Sequence, residues 1–113
     1  MNIFVFGSNL QGRHGKGAAL YAKKYKGAVY GQAYGLQGNS FAIPTKKTPY
    51  IYMTLDEVSY WVNKFLGFAK DNPELKFDLT PIGCNLAGFS KDQIKPLFDN
   101  KSDNIYFTKE WFN

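Results

Sequence analysis

At 113 residues, with 44% apolar and 20% charged side chains, the chain has the size and composition of one globular domain with one core, which excludes a disordered segment and a membrane span. A single cysteine and a single histidine exclude an intramolecular disulfide, a cysteine zinc cluster and a multi-histidine metal centre. The net charge of +5 favours anionic partners, yet thirteen of the fourteen basic residues are scattered lysines with no block of five, which reads first as a solvated surface and second as a nucleic-acid track.

The first apolar stretch is short and has no basic lead-in, so no secretory leader is expected, and a cytoplasmic protein is the simplest reading. Asn2 to Phe6 predicts a buried strand that runs into a first glycine loop, Gly7-Ser8-Asn9 and then Gly12 to Gly17. Gly17 to Tyr25 predicts a helix whose last turn carries Lys23 and Lys24 and which Gly27 closes. Ala28-Val29-Tyr30 and Ser40 to Ile43 read as strands, with Gly31 to Gly38 between them as a flexible loop or irregular hairpin and Pro44 as a stop. Thr54 and Glu57 form a capping box, and Val58, Trp61, Val62, Phe65, Leu66 and Phe68 keep one apolar face through a helix that ends near Asp71 to Pro73. Phe77 to Ile82 predicts a strand, Ser90 to Phe98 a short helix that Pro96 kinks or ends early, and Asn104 to Phe107 a last strand. The order β, α, β, β, α, β, α, β implies a three-layer α/β/α sandwich with a mixed sheet, one domain over residues 1–113.

Two strand-to-helix turns rich in glycine, at residues 7–17 and 83–89, are where open α/β sheets hold ligands, and glycine lets backbone N–H groups approach an anion. The first turn lacks the Walker and dinucleotide fingerprints. Asn9 offers a donor and an acceptor to a sugar hydroxyl, or else makes an Asx turn. His14 is either a proton carrier or a solvated loop residue. Cys84, beside a glycine loop and a helix start, has either a lowered thiol pKa or a structural role. Aromatic residues make up 18% of the chain; most belong in the core, while those in glycine-rich segments are candidates for base stacking.

Three segments in order give a family resemblance over about nine tenths of the chain. Val5-Phe6-Gly7-Ser8-Asn9 with Gly15-Lys16-Gly17-Ala18-Ala19 is similar to the Asn-bearing turn and Gly-x-Gly-x-Ala helix start of macro domains, which bind ADP-ribose. Pro81-Ile82-Gly83-Cys84-Asn85-Leu86-Ala87-Gly88-Phe89 resembles their phosphate loop. Ile43-Pro44-Thr45-Lys46-Lys47 resembles the Thr-Lys segment of the branch that hydrolyses ADP-ribosyl-glutamate and ADP-ribosylated DNA, and the whole looks like short macro-like proteins of bacteriophages.

The resemblance implies a small-molecule nucleotide partner, no separate cofactor, no metal and no membrane. Asn9 would meet the distal ribose, with Gly15, Lys16 and Gly17 in the turn beside it. Gly83, Cys84, Asn85, Leu86, Ala87, Gly88 and Phe89 would form the diphosphate loop, with N–H groups from Asn85 to Phe89 as the cradle, the following helix's positive end adding attraction and Phe89 flanking the sugar. Lys46 would be the nucleophile of a hydrolase, attacking the anomeric carbon, against the plainer reading of an exposed lysine. The Asp that assists this lysine in the hydrolase branch is here Ala87. Binding of ADP-ribose or a related nucleotide is therefore the first expectation, lysine-dependent hydrolysis the second and nucleic-acid binding the third.

Overall fold

A computed structural model describes residues 2–113, and of Asn85 the backbone alone. The elements are β1 (Ile3–Asn9), α1 (Gly17–Tyr25), β2 (Gly35–Gln37), β3 (Ser40–Thr48), β4 (Ile51–Tyr52), α2 (Leu55–Asp71), β5 (Phe77–Leu79), α3 (Lys91–Ile94) and β6 (Ile105–Phe107), with 3₁₀ turns at Asn85–Ala87, Lys95–Phe98 and Lys109–Phe112. The sheet runs β2-β3-β1-β5-β6, with β4 also on β3. β1 is parallel to β3 and β5, and β5 to β6, whereas β2 and β4 are antiparallel to β3.

Side-chain alternation along β1 explains the layers. Phe6, with Phe4 beside it, faces one side, where Ala19 and Ala22 of α1 pack together with Ala42 of β3. Ile3 and Val5 face the other, joining Phe41, Ile43, Phe77 and Leu79 under Val58, Val62, Phe65 and Ala69 of α2, with Ile94 and Phe98 at the edge. Phe41 is wholly buried, with its ring 4.9 Å from Phe65 and 5.1 Å from Phe68, and burying a ring of that size contributes about 2–3 kcal/mol. The architecture is the expected α/β/α sandwich with a mixed sheet. α2 also starts as its sequence requires: Thr54 Oγ1 accepts from Glu57 N, and Glu57 Oε1 accepts from Thr54 N.

Several boundaries differ from the sequence reading. β1 continues through Gly7, Ser8 and Asn9 because β3 runs alongside as far as Lys46, pairing Gly7 with Ile43 and Asn9 with Lys46. Pro44 lies inside β3 instead of ending it. It stands past Ala42, where pairing with β2 ends, and before Lys46, where pairing with β4 begins, so on that flank no neighbour needs its missing N–H. Ala28-Val29-Tyr30 is not a strand: Ala28 packs under α1, and the Val29 N–H is taken by Gln37 Oε1 at 2.7 Å. The 31–38 spacer is an irregular hairpin that delivers β2 to β3. β5 stops at Leu79 because Thr80 bonds back to the Val5 carbonyl through both N and Oγ1, and Pro81 follows with no N–H to donate. At Pro96 the helix from Ser90 has already become a 3₁₀ turn, so α3 ends early, as its proline predicts.

Candidate functional site

β1 is the hinge of the topology. The chain leaves it through α1 to reach β3 on one side, then through α2, on the opposite face, to reach β5 on the other. Such a switch point leaves a crevice at the carboxyl ends of the parallel strands, where α/β sheets take ligands. A cleft of about 610 Å³ opens there, lined by Gly7–Asn9, Arg13, Gly15–Ala19, Thr45 and Lys46, the Pro49-Tyr50 turn, Thr80–Cys84, Leu86 and Ala87, with Tyr30 and Glu110. That volume is in the range of small-molecule sites.

The two glycine turns converge. A Cβ placed on Gly17 would lie 3.6 Å from Leu86 Cδ1, and one placed on Gly7 would lie 3.6 Å from Gly83 N and 3.1 Å from Thr45 Oγ1. Gly17 also has φ +56°, a left-handed conformation that L side chains rarely adopt, so glycine is required there by the backbone. Gly15 is different. It is exposed and a Cβ on it meets nothing within 4 Å, so it does not make the tight packing expected of it.

The first wall carries an anion-binding character. α1 begins with no side-chain cap and no acid in its first turn, so its leading N–H groups have neither an intrahelical acceptor nor a capping one. Its first residues, Gly17 to Ala19, line the cleft with Arg13 and Lys16 before them, and the helix dipole adds positive potential. Asn9 has another task. Its Oδ1 accepts from Gln11 N and Arg13 N, both at 3.1 Å, and its Nδ2 donates to Arg13 O at 3.1 Å, so the amide is committed to shaping the 9–13 loop. At 7% exposure it presents little of itself to a ligand.

The second turn is only partly available. Ala87 N donates to Cys84 O and Phe89 N to Gly83 O, so two N–H groups of the expected diphosphate cradle are consumed by the turn itself. Gly88 and Phe89 do not line the cleft, and Phe89 packs against the core with the α2 face. α3 has four residues, and its start is closed by the Ser90–Gln93 capping box with Asp92 in its first turn, so it supplies no positive end for a ligand. Gly83, Cys84, Leu86 and Ala87 do line the cleft. Gly83 has φ +74°, and a Cβ there would sit 2.9 Å from Ile94 Cδ1, which explains glycine at this point.

Lys46 reaches the cleft because of an irregularity in β3. Ser8 pairs with Pro44 but Asn9 pairs with Lys46, so Thr45 is the extra residue of a bulge that re-aims the strand. The Lys46 ammonium donates to Pro49 O at 2.5 Å and lies 5.2 Å from the Tyr52 ring centroid. Burial pushes the Cys84 thiol above its usual range, partly opposed by Lys91, which answers the question of a lowered thiol pKa. His14 is neither solvated nor in the cleft. It is wholly buried against the Phe6 ring, its Nε2 bonds to Gln37 Oε1 at 3.2 Å, and burial lowers its pKa.

No family model matches the chain, and no curated protein matches it. Among solved structures it is similar to a protein of unknown function from Bacteroides thetaiotaomicron, with 16% identity and a TM-score of 0.57 over 96% of this chain and 89% of that one. The two share the α/β fold.

Tyr30, Pro49, Tyr50, Thr80 and Glu110 line the cleft outside every motif, and Arg13 lines it from inside the first glycine loop with no role assigned to it from sequence. Arg13 carried a signal, being the lone arginine of the chain in a glycine loop. The tyrosines did not, since their ring faces and exposure are decided by chain segments far apart in sequence. Among the described residues no cluster of three His, Cys, Asp or Glu is placed to hold a metal ion, and no helix is long and apolar enough to cross a membrane.

Proposed function

We propose that the cleft binds ADP-ribose or a related nucleotide diphosphate. The observation that carries this reading is the meeting of the uncapped α1 start, Arg13, Lys16 and Lys46 with the Gly83 turn around one cavity of about 610 Å³. Three cations and a helix N-terminus face one carboxylate, Glu110, which selects an anion. The resemblance to macro domains in the segments at residues 5–19, 43–47 and 81–89 agrees with the same ligand class. Binding is preferred over hydrolysis because the loop position that would carry the assisting Asp is Ala87, while Lys46 lines the cleft as a cation for phosphate.

Calorimetric titration with ADP-ribose, with inorganic phosphate as a control, tests the reading. A saturable ADP-ribose site that also raises the melting temperature is expected, because ligand at a hundred times its Kd adds about 2.7 kcal/mol. No heat and no shift at millimolar ADP-ribose would remove the proposal. Release of ADP-ribose from modified protein or DNA by the native chain, abolished in Lys46→Ala, would convert the binder into an enzyme.

A further inference from the structure

We infer that Tyr50 is the platform on which the base of the bound nucleotide stacks; this rests on the nucleotide reading above and adds to it the residue that recognises the base. Tyr50 sits at the tip of the β3–β4 turn and lines the same cleft as Arg13 and Lys16. It is 85% exposed and is followed by exposed Ile51 and Tyr52, so the turn carries a contiguous apolar surface that the core does not use.

The turn that carries it is nevertheless held firmly. Thr48 Oγ1 accepts from both Tyr50 N and Ile51 N at 3.1 Å, and the Lys46 ammonium ties down the carbonyl of Pro49 immediately before it. Pro49 itself has a fixed φ. A hydrogen-bonded turn that presents a bare ring to a cleft lined by both cations and apolar side chains is pre-organised for a flat ligand, because little backbone freedom remains to be lost on binding. Stacking uses the π-face that every nucleobase has, so the ligand class is nucleotides in general, with purines favoured by their larger face. Lys46 then acts as a positioning residue for this turn as well as a cation for phosphate.

The experiment compares ADP-ribose with pyrophosphate, which lacks a base, on the native chain, Tyr50→Ala and Tyr50→Phe by calorimetry. The ring is solvent-exposed, so all three proteins are expected to melt within about 2 °C of one another. Tyr50→Ala should weaken ADP-ribose by about ten- to a hundredfold while leaving pyrophosphate within about twofold, and Tyr50→Phe should restore ADP-ribose affinity. Equal ADP-ribose affinity in all three proteins overturns the stacking role and leaves the nucleotide cleft standing. An equal loss of pyrophosphate in Tyr50→Ala also overturns it. If the native chain binds neither probe, the nucleotide reading itself fails and this inference goes with it.

Discussion

Asn9→Ala separates a ligand contact from a loop organiser. The Asn9 amide makes three hydrogen bonds, two accepted from Gln11 N and Arg13 N and one donated to Arg13 O. Each such bond contributes about 0.5–1.5 kcal/mol net. Gln11 and Arg13 are exposed, so their freed backbone groups can turn to water and the total falls toward the lower end of the sum, about 2 kcal/mol. A chain of 113 residues has an unfolding entropy of roughly 0.24 kcal/mol/K at its midpoint. The ligand-free variant should therefore melt about 8 °C below the native protein. Asn9→Asp retains the acceptor for both N–H groups but turns an oxygen toward Arg13 O, so its loss should be intermediate. Differential scanning calorimetry without ligand is the assay. A shift under about 2 °C, with a large loss of nucleotide affinity, would refute the loop role and return Asn9 to direct contact with the ligand.

Two more predictions concern titratable groups. Burial holds the folded pKa of His14 below its unfolded value of about 6.5, so the unfolded chain binds the extra proton: stability from this group is complete above about pH 6.5 and falls below it, by up to about 1.4 kcal/mol per pH unit until the folded pKa is passed. Urea unfolding at pH 5 and pH 7.5 should show a smaller pH difference in His14→Gln than in the native chain; equal differences would show that His14 does not titrate differently in the two states. Cys84, its thiol pKa raised by burial, should react with iodoacetamide at pH 7.5 at least about tenfold more slowly in the folded than in the urea-unfolded protein, and Cys84→Ser should bind ADP-ribose within about twofold of the native chain. Rapid alkylation of the folded chain would contradict the neutral, half-buried thiol.

Local physics made much of the fold legible from sequence alone. The capping box at Thr54, the apolar stripe from Val58 to Phe68 and the unbroken β-branched and aromatic run of β1 each declare an element through local sequence, and apolar side chains on both faces of β1 demand a layer on either side. The glycine turns at residues 7–17 and 83–89 were likewise visible as the places where strand gives way to helix. What their side chains and N–H groups do depends on partners far along the chain. Asn9 spends its amide on its own loop, Phe89 turns into the core, and α3 is too short and too well capped to serve as a positive end. Tyr50 becomes a cleft residue because a bulge at Thr45 re-aims β3 beside β1 and the turn at Pro49 folds β4 back on β3. Sequence alone determined which segments pair periodic apolar faces with flexible turns, since those are short-range properties. Only the tertiary structure decided which groups remain unspent around the cleft, because a hydrogen bond or a ring already used in folding is no longer available to a ligand.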